Sequence, residues 1–393
     1  MPDAFPELAP PLRILMGPGP SNVHPRVLRA MSTPLVGHLD PEFLKITDGT
    51  MALLRHVFQT QNRLTLPVSG TGSAGMEAAF CNVIEPGDNV LICVSGLFGE
   101  RMCDVAARCG AEVARVDVEW GRIIEPDQVE AALKSKPAKV VAIVHAETST
   151  GAWQPLEDIA QIVHRHGALF LVDTVTSLGG VPVEVDRLGI DICYSGTQKC
   201  LSCPPGLAPI TFNDRAVEVI HKRNAKVQSW YLDMSMVERY WGEERLYHHT
   251  APITAIYGLY EGLRLIHEEG LETRWARHQR NGDALHAGLM AMGLELGAQH
   301  GHRLPTLTSV LLPDGVDDAA LRRDILSRYN LELGGGLGKL KGNAWRIGLM
   351  GHSSSEENVL FALSAIERAL REVGIVIPEG IGIQRACARL EMG

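Results

Sequence analysis

Residues 64–80 read LTLPVSGTGSAGMEAAF, an apolar run that passes through three glycines into a helix-forming stretch. This pattern predicts a buried strand, a tight turn and a helix, because glycine tolerates the backbone conformations that a tight turn requires. Such a turn presents free backbone N–H groups and the positive end of a helix dipole at residues 71–73. We therefore expect an anion to bind at this turn.

The spacing of Gly70, Gly72 and Gly75 matches G-x-G-x-x-G, which is typical of dinucleotide-binding folds. A dinucleotide site also needs an acidic residue about 20 residues further on, at the end of the next strand. The next predicted strand ends in LICVSG and carries no acid. The hydroxyls of Thr71 and Ser73 suit a phosphate monoester better. A cofactor with a single phosphate is therefore favoured over NAD or FAD, and a purely structural turn is the remaining interpretation.

Outside this turn, short β-branched runs alternate with longer amphipathic stretches. The alternation predicts βαβ units and an α/β fold, with a mostly parallel sheet that is flanked by helices. We expect this large domain over residues 23–255, after an N-terminal segment over residues 1–22. Residues 256–393 begin with a long helical stretch and then contain a few alternating strands, which predicts a smaller C-terminal α+β domain. The structure of the tail after residue 376 stays open.

The bulk composition indicates an ordinary globular protein whose partners are small molecules. The chain has 393 residues, 45% of them hydrophobic, and a formal net charge of -9 without basic blocks, so no nucleic-acid partner is expected. Its eight cysteines follow no repeating spacing, which predicts reduced thiols and a cytoplasmic location. Neither a signal peptide nor an apolar window of about 18 to 20 residues is recognisable, so no membrane segment is expected.

Two polar residues stand at the ends of predicted strands. Asp173 closes the apolar run ALFLV, and Lys199 follows YSGTQ after one further strand. In a parallel sheet both positions fall at the carboxyl ends of strands, where α/β proteins place their chemistry. Each residue alone has an ordinary explanation, since aspartate often caps a helix and lysine is usually a surface charge.

The surroundings of Lys199 favour a chemical role. The lysine lies in SGTQKCLSCPPG, a run of small and hydroxyl residues with little surface character. Desolvation there would lower the pKa of the amine and make it a nucleophile that can form a Schiff base. An aspartate on a neighbouring strand, here Asp173, is what the ring nitrogen of pyridoxal phosphate needs. The phosphate-binding turn, the aspartate and the lysine together predict a pyridoxal-phosphate enzyme.

The chain resembles the class V (fold-type I) pyridoxal-phosphate aminotransferases, and within them the alanine-glyoxylate and serine-glyoxylate (serine-pyruvate) enzymes. The resemblance extends from residue 15 through the last long helix. It rests on the segments LMGPGPSN, VFQTQNRLTLPVSGTGS, HAETSTG, LVDTVTSLGG, YSGTQKCLSCPPG, RLYHHT and WRIGLMG. It implies the fold-type I architecture, with a large cofactor-binding domain and a smaller C-terminal domain.

The resemblance also implies which residues form the site. The catalytic residues would be Lys199, which forms the Schiff base, and Asp173, which pairs with the pyridine nitrogen. The residues implied to bind the cofactor are Thr71, Gly72, Ser73, Phe98, Thr148, Asp173, Val175, Gln198, Lys199, Tyr247 and Thr250.

Three of these implications concern parts of the site beyond the lysine and the aspartate. Arg346 of WRIG would bind the substrate α-carboxylate, a task that suits the planar fork of a guanidinium group. Phe98 stands where some relatives carry a tryptophan over the pyridine ring, so stacking is expected with a smaller area. Tyr247 and Thr250 would reach the phosphate of the other subunit's cofactor. The resemblance therefore implies a homodimer with shared active sites.

The implied reaction transfers an amino group from alanine or serine to a small 2-oxo acid, glyoxylate by resemblance, with ping-pong kinetics and without a metal ion. Ureidoglycine-glyoxylate aminotransferases and other small-amine aminotransferases stay open as alternatives. The ureidoglycine branch has Gln and Asn where this chain has His38 and Tyr247, which counts against that donor. A different pyridoxal-phosphate reaction, and an NAD-dependent dehydrogenase that uses the GTGSAG turn, are the more distant alternatives.

The sequence contains other pairs that can bind metals or undergo redox chemistry. Cys200 and Cys203 form a C-x-x-C pair, but no second pair follows at zinc-site spacing. His248 and His249 are adjacent and have no evident partners. We expect these four residues to be ordinary packing or polar residues.

Overall fold

The computed structural model describes residue 5 and residues 7–392. The strands are β1 (Ile14–Leu15), β2 (Leu64–Ser69), β3 (Asn89–Val94), β4 (Glu112–Asp117), β5 (Val140–Val144), β6 (Ala146–Glu147), β7 (Ala152–Trp153), β8 (Leu169–Asp173), β9 (Ile192–Tyr194), β10 (Leu207–Phe212), β11 (Leu307–Leu311), β12 (Leu331–Glu332), β13 (Gly334–Gly335) and β14 (Ala344–Gly348).

The helices begin and end as follows: α1 (Pro25–Met31), α2 (Pro41–Phe58), α3 (Gly72–Val83), α4 (Leu97–Arg108), α5 (Pro126–Ser135), α6 (Glu157–Arg165), α7 (Val185–Leu188), α8 (Asp214–His221), α9 (Met234–Trp241), α10 (Ile253–Glu269), α11 (Leu271–Ala291), α12 (Asp318–Tyr329), α13 (Glu356–Glu372) and α14 (Ile381–Glu391). Two short 3-10 helices span Gly338–Leu340 and Gly351–Ser353.

A seven-stranded sheet forms the centre of the fold, in the order β2-β10-β9-β8-β5-β3-β4. The strands from β9 to β4 pair in parallel, whereas β10 is antiparallel to both of its neighbours. All residues of β5, β8 and β10 are buried, as expected for a sheet that is covered on both faces. The predicted mostly parallel α/β sheet is confirmed, and β10 is an additional strand that the sequence analysis did not identify.

The C-terminal part contains a smaller antiparallel sheet, in the order β11-β14-β13. Its strands pack with α11 to α14 in a cluster of buried side chains that is separate from the cluster around the large sheet. Ile256 and the other buried apolar residues of α10 belong to the cluster around the large sheet. The division of the chain at residues 255 and 256 stays a prediction.

The helical part of the chain differs from the prediction at one point. The long helical stretch predicted at the start of residues 256–393 divides into α10 and α11 at Gly270, whose φ of 81° is incompatible with an unbroken helix. The tail after residue 376 forms α14, which buries Ala386 and Leu390 in the C-terminal cluster. None of the helices within the described residues is long and apolar enough to cross a membrane.

Candidate active site

The glycine turn lies at the carboxyl end of β2, and α3 begins directly after it. Thr71 is the N-cap of α3, but its side chain makes no capping hydrogen bond. Within the described part of the chain, the N–H groups of Gly72 and Ser73 have no acceptor. Because the first N–H groups of a helix require an acceptor from outside the helix, these donors fit the oxygens of a phosphate group.

The turn packs against the two segments that carry the predicted aspartate and lysine. A Cβ atom at Gly72 would lie 3.1 Å from Val175 Cγ2 and 3.6 Å from the carbonyl oxygen of Ser195. Val175 follows Asp173 at the end of β8, and Ser195 begins the segment that leads to Lys199. The structure therefore brings the predicted phosphate turn, the aspartate strand and the lysine segment together at one edge of the sheet.

Asp173 is the last residue of β8, and its side chain is only 2% exposed. Its Oδ1 atom accepts the N–H of Val175 at 2.8 Å, and its Oδ2 atom accepts the hydroxyl of Tyr194 at 2.7 Å. Burial raises the pKa of Asp173 to about 6, while the hydrogen bonds from Tyr194 and Val175 and the charge of Lys199 oppose this rise. The carboxylate is therefore buried but has donors that stabilise its charge.

Lys199 lies in the turn that follows β9 and is 8% exposed. Its Nζ atom donates to the carbonyl oxygen of Pro18, and its aliphatic chain lies against Gly19. Burial, assisted by the charge of Arg346, lowers the pKa of Lys199 to about 8, against the opposing effect of Asp173. An amine with this pKa is partly neutral near physiological pH and is available as a nucleophile.

Gln198 precedes the lysine and carries a polar atom without a partner. Its Oε1 atom is buried, and no hydrogen-bond partner for it is found among residues 5 and 7–392. Its carbonyl oxygen accepts the N–H of Ser21 at 2.9 Å, which fixes the backbone here. Since the oxygen and nitrogen of an amide are assigned from their hydrogen bonds, an –NH₂ group directed at a phosphate oxygen would satisfy this side chain.

Phe98 lies in the first turn of α4, near the phosphate turn. Its N–H donates to Glu147 Oε2 at 3.2 Å, and the guanidinium group of Arg101 lies 4.8 Å from the centre of its ring. Arg101 also reaches Ser73 Oγ at 3.4 Å. Arg101 thus connects Phe98 to α3. The Phe98 ring therefore lies where it can face a cofactor whose phosphate binds at the start of α3.

Arg346 belongs to β14 of the smaller sheet and is directed toward the same site. Its Nε atom donates to the carbonyl oxygen of Gly335 at 2.8 Å, and Nη1 donates to that of Thr148 at 3.4 Å. Burial lowers the pKa of Arg346 to about 10, although the charge of Glu147 acts in the opposite direction. The guanidinium group therefore stays charged at neutral pH. Thr148 in turn shares a hydrogen bond of 2.5 Å with the hydroxyl of Thr176.

Tyr247 and Thr250 lie between α9 and α10 and are both exposed. Tyr247 is 63% exposed, and its ring meets that of His38 edge to face with 5.5 Å between the centres. It is His249 that bonds to Ser69 Oγ, at 3.0 Å, where β2 enters the glycine turn. In the chain itself, His249 rather than Tyr247 or Thr250 thus contacts the end of β2.

The sequence analysis missed two residues that the structure brings to this site. Tyr194 bonds to Asp173, as described above. Glu147 is 1% exposed, and its Oε1 atom accepts both the N–H and the hydroxyl of Ser149, at 3.0 and 2.6 Å. Burial, together with the like charge of Asp173, raises the pKa of Glu147. A glutamate inside the otherwise uncharged run HAETSTG is the signal that could have revealed it.

The cysteine pair Cys200 and Cys203 and the histidine pair His248 and His249 make ordinary contacts within the protein. Burial raises the pKa of Cys200 to about 11 and that of Cys203 to about 12, and both thiols donate to backbone carbonyl oxygens. His248 stacks on Trp230 with 4.3 Å between the ring centres. In the part of the chain that the structure describes, no group of three or more His, Cys, Asp or Glu side chains is arranged to bind a metal ion.

Known proteins resemble this chain in both sequence and fold. The chain matches the aminotransferase class-V family over residues 15–338. The crystal structure of ureidoglycine-glyoxylate aminotransferase from Bacillus subtilis is 46% identical and has a TM-score of 0.96 over 98% of this chain and 100% of that one. Alanine-glyoxylate aminotransferase from Nostoc sp. is 51% identical, with a TM-score of 0.92 over 94% and 98% of the two chains. Alanine-glyoxylate aminotransferase from Callithrix jacchus is 41% identical over 93% of this chain and 89% of its own length.

The residues at the carboxyl edge of the sheet also fit a pyridoxal phosphate group. The uncapped start of α3 and the unpartnered Gln198 suit its phosphate, the buried Lys199 suits its aldehyde, and the buried Asp173 suits its ring nitrogen. The predicted fold-type I architecture is confirmed by the solved structures. The chain belongs to the class V aminotransferases and is a pyridoxal-phosphate-dependent transaminase.

Proposed function

We propose that this transaminase transfers the amino group of alanine or serine to glyoxylate. The observation that carries the proposal is a buried lysine of lowered pKa that shares one site with a buried aspartate and a buried arginine. The relatives support the acceptor, because the names of the Bacillus subtilis and Nostoc enzymes both include glyoxylate and differ only in the donor. The small donor then needs no recognition beyond its amino and carboxylate groups.

The residues of this chain divide the chemical work in the proposed reaction. When bound, pyridoxal phosphate supplies a ring that accepts the electrons left at the substrate Cα when its proton is removed. Lys199 would take up this proton at Nζ as a neutral amine and, as an ammonium group, release it on the cofactor side, so that it does not return to the substrate Cα. Asp173 holds a negative charge opposite the ring nitrogen, and Arg346 binds the substrate α-carboxylate through its guanidinium fork. The same residues serve both half-reactions, which predicts ping-pong kinetics.

The other predicted residues would bind and orient the cofactor. Gln198 and the turn residues Thr71, Gly72 and Ser73 are proposed to bind the phosphate, with support from the free N–H groups at the start of α3. The ring would be enclosed by the side chains of Phe98, Thr148 and Val175. These roles are proposals that binding measurements on single variants can test.

We propose that His38 and Tyr247, whose rings pack against each other, help to select the donor, because the ureidoglycine enzymes differ at these two positions. Their rings stand where the ureidoglycine enzymes have the carboxamide side chains of Gln and Asn, which pair readily with a ureido group, and this favours alanine or serine. Ureidoglycine stays the second candidate, because His38 Nε2 is buried and has no partner among the described residues. That nitrogen is a group that could bond to a ureido substituent.

We also propose a homodimer with shared active sites. A surface near α9 exposes large apolar and aromatic side chains, and a patch of this kind favours association. Its members are Leu35 (64% exposed), Leu39 (43%), Trp230 (58%), Tyr231 (41%), Leu246 (44%) and Tyr247 (63%). Tyr247 and Thr250 would then complete the phosphate site of the partner subunit. All eight cysteines are free thiols, which supports a proposed cytoplasmic location.

Mixing two inactive variants tests whether sites are shared. One variant is Lys199→Ala, and the other combines Tyr247→Phe with Thr250→Ala. In a mixed dimer with shared sites, the intact Lys199 meets the intact Tyr247 and Thr250 of the other subunit, so about one active site per dimer is regained. If each chain builds its own site, every site in the mixture is defective and activity does not return.

The proposed reaction is tested with the purified protein. It should be yellow, and borohydride should bleach it and fix the cofactor to Lys199, as mass spectrometry of the digested protein will show. Lys199→Ala should abolish turnover, whereas Lys45→Ala, which replaces an exposed lysine, should leave it unchanged. Alanine, serine and ureidoglycine are then compared as donors to glyoxylate and pyruvate. A colourless protein that binds NAD would instead support the dehydrogenase alternative.

A further inference from the structure

Tyr194 stands beside the residue proposed to face the cofactor ring. It ends β9 and is the register partner of Asp173, which ends the adjacent strand β8. Its hydroxyl donates to Asp173 Oδ2 at 2.7 Å, and the two residues are 0% and 2% exposed. The pair is therefore shielded from water and depends on contacts within the protein.

A buried carboxylate stays ionised only where donors replace the water that it loses. Asp173 has two such donors among the described residues, the N–H of Val175 and the hydroxyl of Tyr194. Burial and the neighbouring carboxylate raise the pKa of the Tyr194 hydroxyl well above its ordinary value, so that it stays protonated and remains a donor throughout the working pH range. Of these two donors, Tyr194 is the one that comes from a side chain.

The other charged and titratable groups that face Asp173 are less constant. Lys199 is positively charged, but its pKa of about 8 means that this charge is lost as pH rises. Arg101 acts in the same direction from an exposed position, where solvent and salt weaken its effect. Glu147 opposes the ionisation of Asp173 as a like charge, and burial raises the pKa of the Cys193 thiol well above its ordinary value, so that this thiol stays neutral.

The ring of Tyr194 is also held in place. A Cβ atom at Gly75 would lie 3.3 Å from Tyr194 Cβ, so α3 packs directly on this residue. The carbonyl oxygen of Tyr194 accepts the N–H and the hydroxyl of Thr174, at 2.8 and 2.9 Å. Its backbone is bonded to Thr174, which follows Asp173, and its side chain packs against α3, so both contacts hold the ring beside Asp173.

We propose that Tyr194 is a positioning residue, which keeps the carboxylate of Asp173 ionised and aims it at the ring nitrogen of the cofactor. The inference rests on the proposed role of Asp173. It adds to that role a residue that acts through one hydrogen bond to Asp173.

The test measures how the apo-protein binds pyridoxal phosphate between pH 5 and pH 9, by quenching of tryptophan fluorescence. Binding that depends on ionised Asp173 weakens as pH falls through the pKa of this residue. Tyr194→Phe keeps the ring and removes the donor, so the acid-side midpoint should move up by about one pH unit, with roughly tenfold weaker binding below it. Inorganic phosphate, which has no ring, should bind the variant and the wild-type protein equally.

Tyr329→Phe is the matched control, because it removes a buried hydroxyl that has no partner within the described residues. Its midpoint should equal that of the wild-type protein. In an Asp173→Asn background, Tyr194→Phe should cause no additional shift, since the hydrogen bond to a carboxylate no longer exists.

A second variant covers the case in which phenylalanine impairs folding. Fluorotyrosine at position 194 retains the shape and is a stronger donor, so it should move the midpoint down. An unchanged midpoint in Tyr194→Phe, or a shift that persists with Asp173→Asn, would overturn the inference while leaving cofactor binding at Lys199 intact. A wild-type protein that does not bind pyridoxal phosphate would instead refute the proposed function.

Discussion

Lys199 lies so close to Gly19 that a Cβ atom at residue 19 would be 2.8 Å from its Nζ atom. The same Cβ atom would be 2.7 Å from Cδ and 2.9 Å from Cε. The backbone of Gly19 has a φ of 107°, which other residues rarely adopt. The N-terminal loop thus covers the amine of Lys199, and the absence of a side chain at residue 19 leaves room for this close contact.

Gly19→Ala should therefore displace Lys199 and reduce covalent attachment of the cofactor. Attachment is measured by borohydride reduction followed by mass spectrometry of the intact protein, and we expect a loss of at least about tenfold at limiting cofactor, from strain of roughly 1 to 3 kcal/mol. Gly17→Ala is the control, because a Cβ atom there would meet its nearest atom at 3.6 Å. Full attachment in Gly19→Ala would show that the loop does not constrain the lysine.

The pH dependence of cofactor attachment should report the lowered pKa of Lys199. The amine reacts when neutral, and its pKa of about 8 means that the rate should rise with pH around a midpoint near 8. Replacing Arg346 with methionine removes a positive charge that lowers this pKa, so the midpoint should move up. Arg280→Met, on α11, serves as the control. Absorbance stopped-flow measures the rate, and a midpoint at the ordinary lysine value of 10.5 would mean that the amine is solvated.

The Phe98 ring should contribute to cofactor affinity by stacking. Phe98→Ala should weaken binding of pyridoxal phosphate by about tenfold, since aromatic pairs are worth about 0.5–1.5 kcal/mol beyond their buried area. Phe98→Trp should retain or improve affinity, because it restores the larger ring. Neither change removes the N–H that donates to Glu147. Equal affinity in all three proteins, measured by equilibrium fluorescence titration, would place the ring elsewhere.

The features that the sequence predicted share a local origin. The turn, the strand before it and the helix after it are encoded within residues 64–83, and the positions of Asp173 and Lys199 follow from the strands that precede them. Apolar runs and glycines suffice for such predictions, because the elements that they describe are continuous in sequence. The resemblance to class V aminotransferases then supplied roles that no local pattern contains.

Two of the features that were missed depend on contacts between segments that are distant in sequence, and a third is a strand that contains a proline. The cover over Lys199 comes from Pro18 and Gly19, 181 residues before the lysine in the case of Pro18. Tyr194 meets Asp173 only because β9 pairs with β8 in one particular register. Strand β10 was overlooked because Pro209 interrupts its apolar run, although the strand is fully buried. The contacts of Lys199 with Pro18 and of Tyr194 with Asp173 are not visible in a window of ten residues.

Arg274 donates a hydrogen bond to the backbone directly after Lys199, and its loss should destabilise the fold. It is 5% exposed, and it donates to the carbonyl oxygens of Gly179 at 2.9 Å and Cys200 at 2.6 Å while pairing with Glu269 at 2.6 Å. Arg274→Met would leave two buried carbonyl groups without these donors. Glu269 would keep its pair with Arg277 at 2.6 Å, so no buried carboxylate is left unpaired.

We expect Arg274→Met to lower the free energy of unfolding by about 3 kcal/mol, since each unsatisfied buried group costs about 1–3 kcal/mol. Urea denaturation of the apo-protein measures the change. Arg280→Met is the matched control on the same helix: its side chain is 42% exposed, so its ion pair with Glu356 and its hydrogen bonds to the Leu390 carbonyl oxygen should together contribute less than about 1 kcal/mol. Because Cys200 directly follows Lys199, Arg274→Met should also slow cofactor attachment. If Arg274→Met and Arg280→Met are equally stable, the two carbonyl groups find other donors.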